Sequence, residues 1–135
     1  MKIKSLQALA TRFHSMAEGL DVEPYFKLFH TTPQHDGSPH VEIKAGKFDL
    51  VVTERGGELH RVSGLSEEDV LYLLFLSITQ HMATSYELHN RKPVGDGRAV
   101  WFPYQEALMA NLDPSWGPRT KAEHEKILTK YPFQS

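Results

Sequence analysis

Histidine is the residue type in this chain best suited to bind a metal or transfer protons, and the chain has eight of them. The densest local group is His35, Asp36 and His40, whose imidazole and carboxylate groups are common ligands of zinc. A zinc-binding histidine pair usually has helical i, i+4 spacing, which this group lacks. The pattern favours a polar loop with solvated imidazoles, so we expect no metal site and no cofactor.

A second group, His81, Ser85 and His89, repeats at steps of four and would lie on one face of a helix. Such spacing can place a base beside a hydroxyl group, but a catalytic base also needs a group that orients it. Glu87 is two residues from both Ser85 and His89, and side chains two apart on a helix point away from each other. The group is typical of a structural helix face, and we expect no catalytic residues.

Charged residues are concentrated around the end of that helix. Glu87 and Arg91 have i, i+4 spacing with the acid first, the favourable order for an exposed pair, which contributes about 0.3–0.5 kcal/mol. The basic residues that follow form one local cluster interrupted by an acid: Arg91, Lys92, Asp96 and Arg98. Gly95 and Gly97 resemble a phosphate-binding loop only superficially, because the Lys-Ser/Thr ending and the preceding strand are missing. A flexible turn is the better interpretation.

Two further groups have both a structural and a functional interpretation. Three acids favour the positive end of the helix that they begin, and they would also form a negative patch able to mimic phosphate: Glu67, Glu68 and Asp69. Four large aromatic residues lie near predicted loops: Trp101, Phe102, Tyr104 and Trp116. Most aromatic residues belong to the core, although Trp and Tyr are also preferred anchors of protein interfaces.

The composition limits the class of protein. A chain of 135 residues with 40% hydrophobic and 24% charged residues fits one globular domain with a single core. The formal charge of −2 provides no broad positive field for phosphate, so we expect no direct nucleic-acid binding. The chain has no cysteine, which excludes a disulfide framework and a thiol nucleophile and fits a reducing compartment.

No targeting or membrane segment is predicted. The basic start Met1-Lys2-Ile3-Lys4 is followed by polar residues, so the apolar stretch of a signal peptide is missing and we expect a cytoplasmic protein. The longest apolar run, Val70 to Leu76, is far shorter than the roughly 20 residues that span a bilayer.

Periodicity predicts the elements of the first half. Apolar residues at steps of three and four predict a helix over residues 5–18, ended by Gly19, and Tyr25 to His30 are typical of a strand. A polar loop should follow from Thr31 to Pro39. Alternating residues on both sides of Gly46-Lys47 predict a hairpin, and a second turn at Gly56-Gly57 would return the chain through residues 59–62.

The second half is predicted to be helical. Ser66 with Asp69 should cap an apolar helix that continues to about His89. A loop over residues 90–99 and a short helix over 102–111 follow. Asp113 resembles an N-cap before Pro114; we expect a turn near Trp116 and a last helix from about residue 122, stopped by Pro132. These elements predict an α+β fold: an antiparallel meander of three to four strands with an N-terminal helix and C-terminal helices packed on one face.

The second half also resembles a known family, immunity protein 63 of bacterial polymorphic-toxin systems. The resemblance rests on the order and spacing of several motifs, namely Tyr86-Glu87-Leu88 with Arg91, Asp96-Gly97-Arg98, Gln105, Leu112-Asp113-Pro114-Ser115-Trp116 and Tyr131-Pro132-Phe133. It covers most of the chain from about His40 onward. Pro103 and Gly117-Pro118 depart from the pattern.

The resemblance implies that the chain binds and silences one toxin protein and catalyses nothing. The expected toxin acts in the cytosol and is a nuclease, a nucleobase deaminase or a nucleotide-modifying enzyme whose active site is occluded. We expect the following residues to contribute to the binding surface: Glu67, Glu68, Asp69, Arg91, Lys92, Asp96, Arg98 and Trp101. A small enzyme with a His/carboxylate site and a general protein-binding adaptor remain alternatives.

Overall fold

The computed structural model describes residues 5–134 and confirms the predicted α+β class. A three-stranded antiparallel sheet follows an N-terminal helix and precedes three further helices in the described part of the chain. In chain order the elements are α1 (Leu6–Ala17), a 3-10 helix (Pro24–Lys27), β1 (Asp36–Lys44), β2 (Lys47–Glu54), β3 (Gly57–Leu65), α2 (Glu67–His89), α3 (Arg98–Leu112) and α4 (Trp116–Lys130). None of the helices within residues 5–134 has the length and apolar character that crossing a bilayer requires.

Spatial proximity divides the chain into two compact units, one ending at Leu73 and the other beginning at Leu74. The first contains α1, the sheet and the start of α2, and the second contains the rest of α2 with α3 and α4. That the chain forms one domain stays a prediction.

The sheet is a meander in the order β1-β2-β3, joined by two tight turns. Lys44 pairs with Lys47 across the first turn, whose central residues Ala45 and Gly46 both have positive φ. This is the geometry of a primed two-residue turn, whose twist matches that of the strands. The second turn is centred on Arg55 and Gly56, which also have positive φ, because Glu54 pairs with Gly57. The predicted centre at Gly56-Gly57 was therefore wrong by one residue.

The segment before the sheet differs from its prediction. Pro24 begins a 3-10 helix, and its fixed φ suits the first position of a helical turn, so the strand predicted over Tyr25 to His30 is wrong. The Tyr25 hydroxyl hydrogen-bonds to Ser38 and Asp36 instead. The loop predicted to end at Pro39 is shorter than expected, because β1 already begins at Asp36 with an irregular register before Pro39.

The first unit has an apolar core and a charge cluster across the sheet. Its fully buried side chains come from α1, the sheet and the start of α2: Leu9, Phe13, Val41, Phe48, Val51, Val70, Leu71 and Tyr72. Arg61 on β3 hydrogen-bonds to Glu42 on β1, to Asp49 on β2 and to Glu58. Burial opposes the charged form of Asp49, but its hydrogen bonds from Arg61 and the Gly64 N–H outweigh burial and lower its pKa. This charge cluster ties the three strands together.

The second unit is a helical hairpin, α3 and α4, with the C-terminal part of α2. Ser115 donates to the Asp113 carboxylate through both its N–H and its hydroxyl. The N-cap of α4 is Ser115, so the prediction of Asp113 as N-cap with Pro114 at the first helical position was wrong by two residues. The last helix was expected near residue 122 but begins at Trp116, and Gly117-Pro118 does not interrupt it. Pro118 lies in the first turn of α4, where N–H groups have no intrahelical acceptor.

Candidate functional site

The segment between α2 and α3 begins with an anchored ion pair. Glu87 Oε2 accepts from Arg91 Nε at 3.0 Å, and Oε1 accepts from Nη2 at 2.9 Å. The Glu87 side chain is only 7% exposed, whereas that of Arg91 is 64% exposed. The two hydrogen bonds from Arg91 lower the pKa of Glu87, although burial opposes its charged form. The predicted pairing is present, but the prediction that the pair is exposed holds only for its basic member.

The backbone of the loop lies directly on the Glu87 carboxylate. A Cβ atom at Gly97 would lie 2.9 Å from Glu87 Cδ and would also overlap one of its oxygens. Gly97 has a φ of −56°, which any residue can adopt, so the requirement for glycine is steric. Gly95 has a φ of +112°, a conformation that side-chain-bearing residues rarely adopt. Both glycines of the segment therefore have structural roles.

Two open concavities adjoin this ion pair, and both include Glu87 and Arg91 in their walls. The larger has a volume of about 450 Å³ and is also lined by the loop and the first turn of α3: Lys92, Pro93, Val94, Gly95, Asp96, Gly97, Ala99 and Val100. The smaller, of about 310 Å³, is also lined by Thr84, Ser85, Leu88 and Trp101. Arg91 therefore borders two recesses at the surface.

Large apolar side chains are exposed in the walls of these recesses and at Tyr86 in the last turns of α2. Val94 is 78% exposed, Leu88 is 61% exposed and Tyr86 is 42% exposed. Tyr86 stacks on Tyr104 with ring centroids 4.2 Å apart, which restrains its ring. Trp101 is partly buried against Phe102 and lines the smaller recess. We call the group Tyr86, Leu88, Arg91, Lys92, Val94 and Trp101 the loop surface.

Asp96 and Arg98 were predicted to bind a partner, but the structure gives them an internal role. Arg98 donates to the carbonyl oxygens of Tyr131 and Pro132 and to the Asp96 carboxylate, which also accepts from the Gln134 N–H. These hydrogen bonds hold the pKa of Asp96 well below its ordinary value, and those from Arg98 contribute most to this shift. The pair fastens the segment after α4 to the start of α3.

The acidic residues at the start of α2 belong to the first unit, whereas the other predicted site residues belong to the second. Glu67 and Glu68 both accept from the Arg12 guanidinium, at 3.0 and 2.7 Å. The Asp69 N–H donates to Ser66 Oγ, which confirms Ser66 as the helix cap. The negative charge of Glu67 and Glu68 is therefore partly neutralised by Arg12.

The histidine groups have structural environments. His89 Nδ1 hydrogen-bonds to the Ser85 carbonyl oxygen at 2.7 Å near the end of α2, and His40 is buried against Glu42. Within residues 5–134, no three His, Asp or Glu side chains are grouped so that they could hold a metal ion.

Sequence reasoning missed a buried polar network in the second unit. Gln105 donates to the Leu76 carbonyl oxygen at 2.9 Å and accepts from His124 Nε2 at 2.8 Å. The other ring nitrogen of His124 hydrogen-bonds to Glu106 at 2.6 Å, and its ring stacks on Phe102. Gln105 and Glu106 lie far from His124 in sequence, so no local spacing indicates this network. It connects α3 to α2 and to α4.

Comparison of the chain with models of known protein families gives a match. The model of the family described as immunity protein 63 matches residues 45–126, more than half of the chain. The chain belongs to the immunity protein 63 family. No curated protein and no solved structure matches it.

Family membership confirms the resemblance seen in the sequence, and it implies a toxin as the partner and a role other than catalysis. The immunity protein 63 motifs within the matched residues have structural functions here. Glu87 supports Arg91 and the loop, Asp96 and Arg98 fasten the last segment, and Gln105 connects α3 to α2. Trp116 is buried near Phe75. The Tyr131-Pro132-Phe133 segment lies beyond the matched residues, yet it is bound by the matched Arg98.

Proposed function

We propose that this immunity protein binds one cognate toxin domain and neutralises it by covering its active site or the path of its substrate. The family match is the observation that carries the proposal. An inhibitor of this kind needs a preformed surface and no reactive centre. Stable interfaces of the required type bury about 1,200–2,000 Å² in total.

The loop surface is the part of the second unit that we assign to toxin binding. Its composition supports this assignment, because interface hot spots are enriched in Trp, Tyr and Arg and lie among apolar contacts that exclude water. Arg91 is exposed between two recesses, and Val94 and Leu88 are more than half exposed beside it. Of the residues expected from the sequence, Arg91, Lys92 and Trp101 belong to this surface.

The remaining expected residues are less suited to a direct contact. Asp96 and Arg98 are bound to each other and to the last segment, so their effect on a partner would be indirect. Glu67 and Glu68 are bound by Arg12, which reduces their value as mimics of phosphate.

We propose that the toxin acts in the cytosol and is a nuclease, a nucleobase deaminase or a nucleotide-modifying enzyme. A chain without cysteine needs no oxidising compartment for folding, which is compatible with an antidote that stays in the same compartment as its target. Enzymes of these three kinds act on substrates that are abundant in the cytosol.

Growth of bacteria tests the proposal. A toxin-like domain taken from an open reading frame adjacent to the gene of this chain would be expressed from an inducible promoter, with the chain or with an empty vector in the same cells. We expect growth only with the chain, together with co-purification of the two proteins. Arrested growth in both strains would refute the proposed function.

A further inference from the structure

We infer that the loop surface receives an acidic side chain of the toxin at Arg91 and apolar neighbours of that side chain in the two recesses. This inference rests on the proposed function and specifies the chemistry of the toxin surface. The exposed position and fixed geometry of Arg91 carry it, together with the apolar side chains that form part of the walls of both recesses.

Arg91 is held in place before any partner binds. Glu87 engages Nε and Nη2 side by side, so the guanidinium plane is fixed by two hydrogen bonds. Gly97 lies against the same carboxylate and prevents Glu87 from moving towards the loop. A side chain that is already ordered loses less conformational entropy when it binds. Glu87 is thus a positioning residue for Arg91.

The N–H donors of Arg91 that Glu87 does not engage are available to a partner. Within the described part of the chain, Nη1 of Arg91 donates to no other group, and Lys92 forms no ion pair. The neighbouring acids are already engaged, Glu87 by Arg91 and Asp96 by Arg98. The wall of the larger recess has two acids and two bases, and Asp96 is paired with Arg98 outside it, so Lys92 is the base without an ion-pair partner among the described residues. A carboxylate on a protein is complementary to Lys92 and to the exposed edge of Arg91.

The walls of the recesses indicate what surrounds that carboxylate. Pro93, Val94, Ala99 and Val100 line the larger recess, and Leu88 and Trp101 line the smaller one. These apolar side chains gain from contact with apolar groups and exclude water from the central charge pair. An acidic residue flanked by apolar residues on the toxin surface fits both features. A nucleic-acid strand fits them less well, because the basic residues form a small cluster and not an extended stripe.

Binding of the purified toxin domain, measured by titration calorimetry at low and at physiological salt, tests the inference. We expect Arg91→Gln to raise Kd on the order of 100-fold and Arg91→Lys to raise it at least about tenfold, because Lys lacks the planar fork. Val94→Ser should raise Kd about tenfold by removing apolar contact. The matched controls Lys121→Gln and Leu59→Ser change exposed residues outside the loop surface and should leave Kd unchanged.

A double-mutant cycle separates positioning by Glu87 from a general effect on folding. Glu87→Gln should weaken toxin binding in the wild-type background and have little further effect in the Arg91→Gln background. Thermal unfolding of each variant identifies loss of the fold, which would weaken binding equally in both backgrounds.

The outcomes distinguish the inference from the function on which it rests. A wild-type chain that does not bind the toxin refutes the proposed function. If the wild-type chain and Arg91→Gln bind the toxin with equal affinity, the acidic contact at Arg91 is refuted and the proposed function stands. Binding of a 20-nucleotide RNA probe that is lost in Arg91→Gln, with toxin affinity retained, would also overturn it.

Discussion

Glu87 shows how a residue's role depends on contacts that sequence spacing does not specify. The i, i+4 relation to Arg91 correctly predicts the ion pair. Whether the pair is exposed depends on the path of the loop ten residues later, where Gly97 lies against the carboxylate. A pattern restricted to one helix contains no information about that path. The pairing was predictable, and the burial of Glu87 was not.

Replacement of Gly97 tests this packing directly. We expect Gly97→Ala to lower the free energy of unfolding by about 1–3 kcal/mol, because the added Cβ displaces the end of the Glu87 side chain and breaks its two hydrogen bonds from Arg91. Chemical denaturation measures the change. Gly19→Ala is the matched control, since a Cβ at Gly19 meets nothing within 4 Å, and it should change stability by less than about 1 kcal/mol. Equal stability of Gly97→Ala and wild type would show that Glu87 is not held there.

The contact between α3 and α4 explains a sequence feature that seemed unfavourable. Gly117 and Pro118 are poor residues for a helix interior, so the sequence predicted a later start for the last helix. Both residues lie in the first turn of α4, and a Cβ at Gly117 would lie 2.8 Å from the Cβ of Ala110. Glycine therefore allows close packing of the two helices. Helix propensity describes α4 by itself and does not include the small residue that packing against α3 requires.

A double-mutant cycle at this contact has a predicted sign. Gly117→Ala should destabilise the protein by about 1 kcal/mol or more, because the steric cost exceeds the gain in helix propensity. In the Ala110→Gly background the opposing Cβ is absent, so Gly117→Ala should be neutral or stabilising. Denaturant unfolding of the four proteins gives the coupling free energy. Additive effects of the two substitutions would contradict the close contact.

The other elements show where periodicity is sufficient. The two hairpins and α2 were predicted because alternation and helical spacing act over many residues there. The aromatic run after Pro24 was predicted as a strand, yet it forms a 3-10 helix whose Tyr25 hydroxyl contacts Ser38 and Asp36. Short apolar runs have no reliable period, and contacts with other elements determine their conformation.

In the whole molecule, most of the charges predicted to bind a partner are paired internally. Arg12 binds two acids at the start of α2, and Arg98 binds Asp96 and the segment after α4. The sequence predicted that the segment around Arg91, which contains charged and aromatic residues, contributes to a binding surface. It did not separate Arg91 and Lys92 from Asp96 and Arg98, because the partner of Arg98 lies 33 residues further along the chain.

We propose that this immunity protein acts by binding its toxin and not by modifying it. The measurement that separates these two possibilities is a titration of the purified toxin's enzymatic activity with the chain. We predict a linear fall in activity that reaches zero at a molar ratio of about one, as expected for tight binding. Full toxin activity at a large excess of the chain would contradict the claim, and so would complete inactivation by a small fraction of an equivalent, since that requires catalytic turnover.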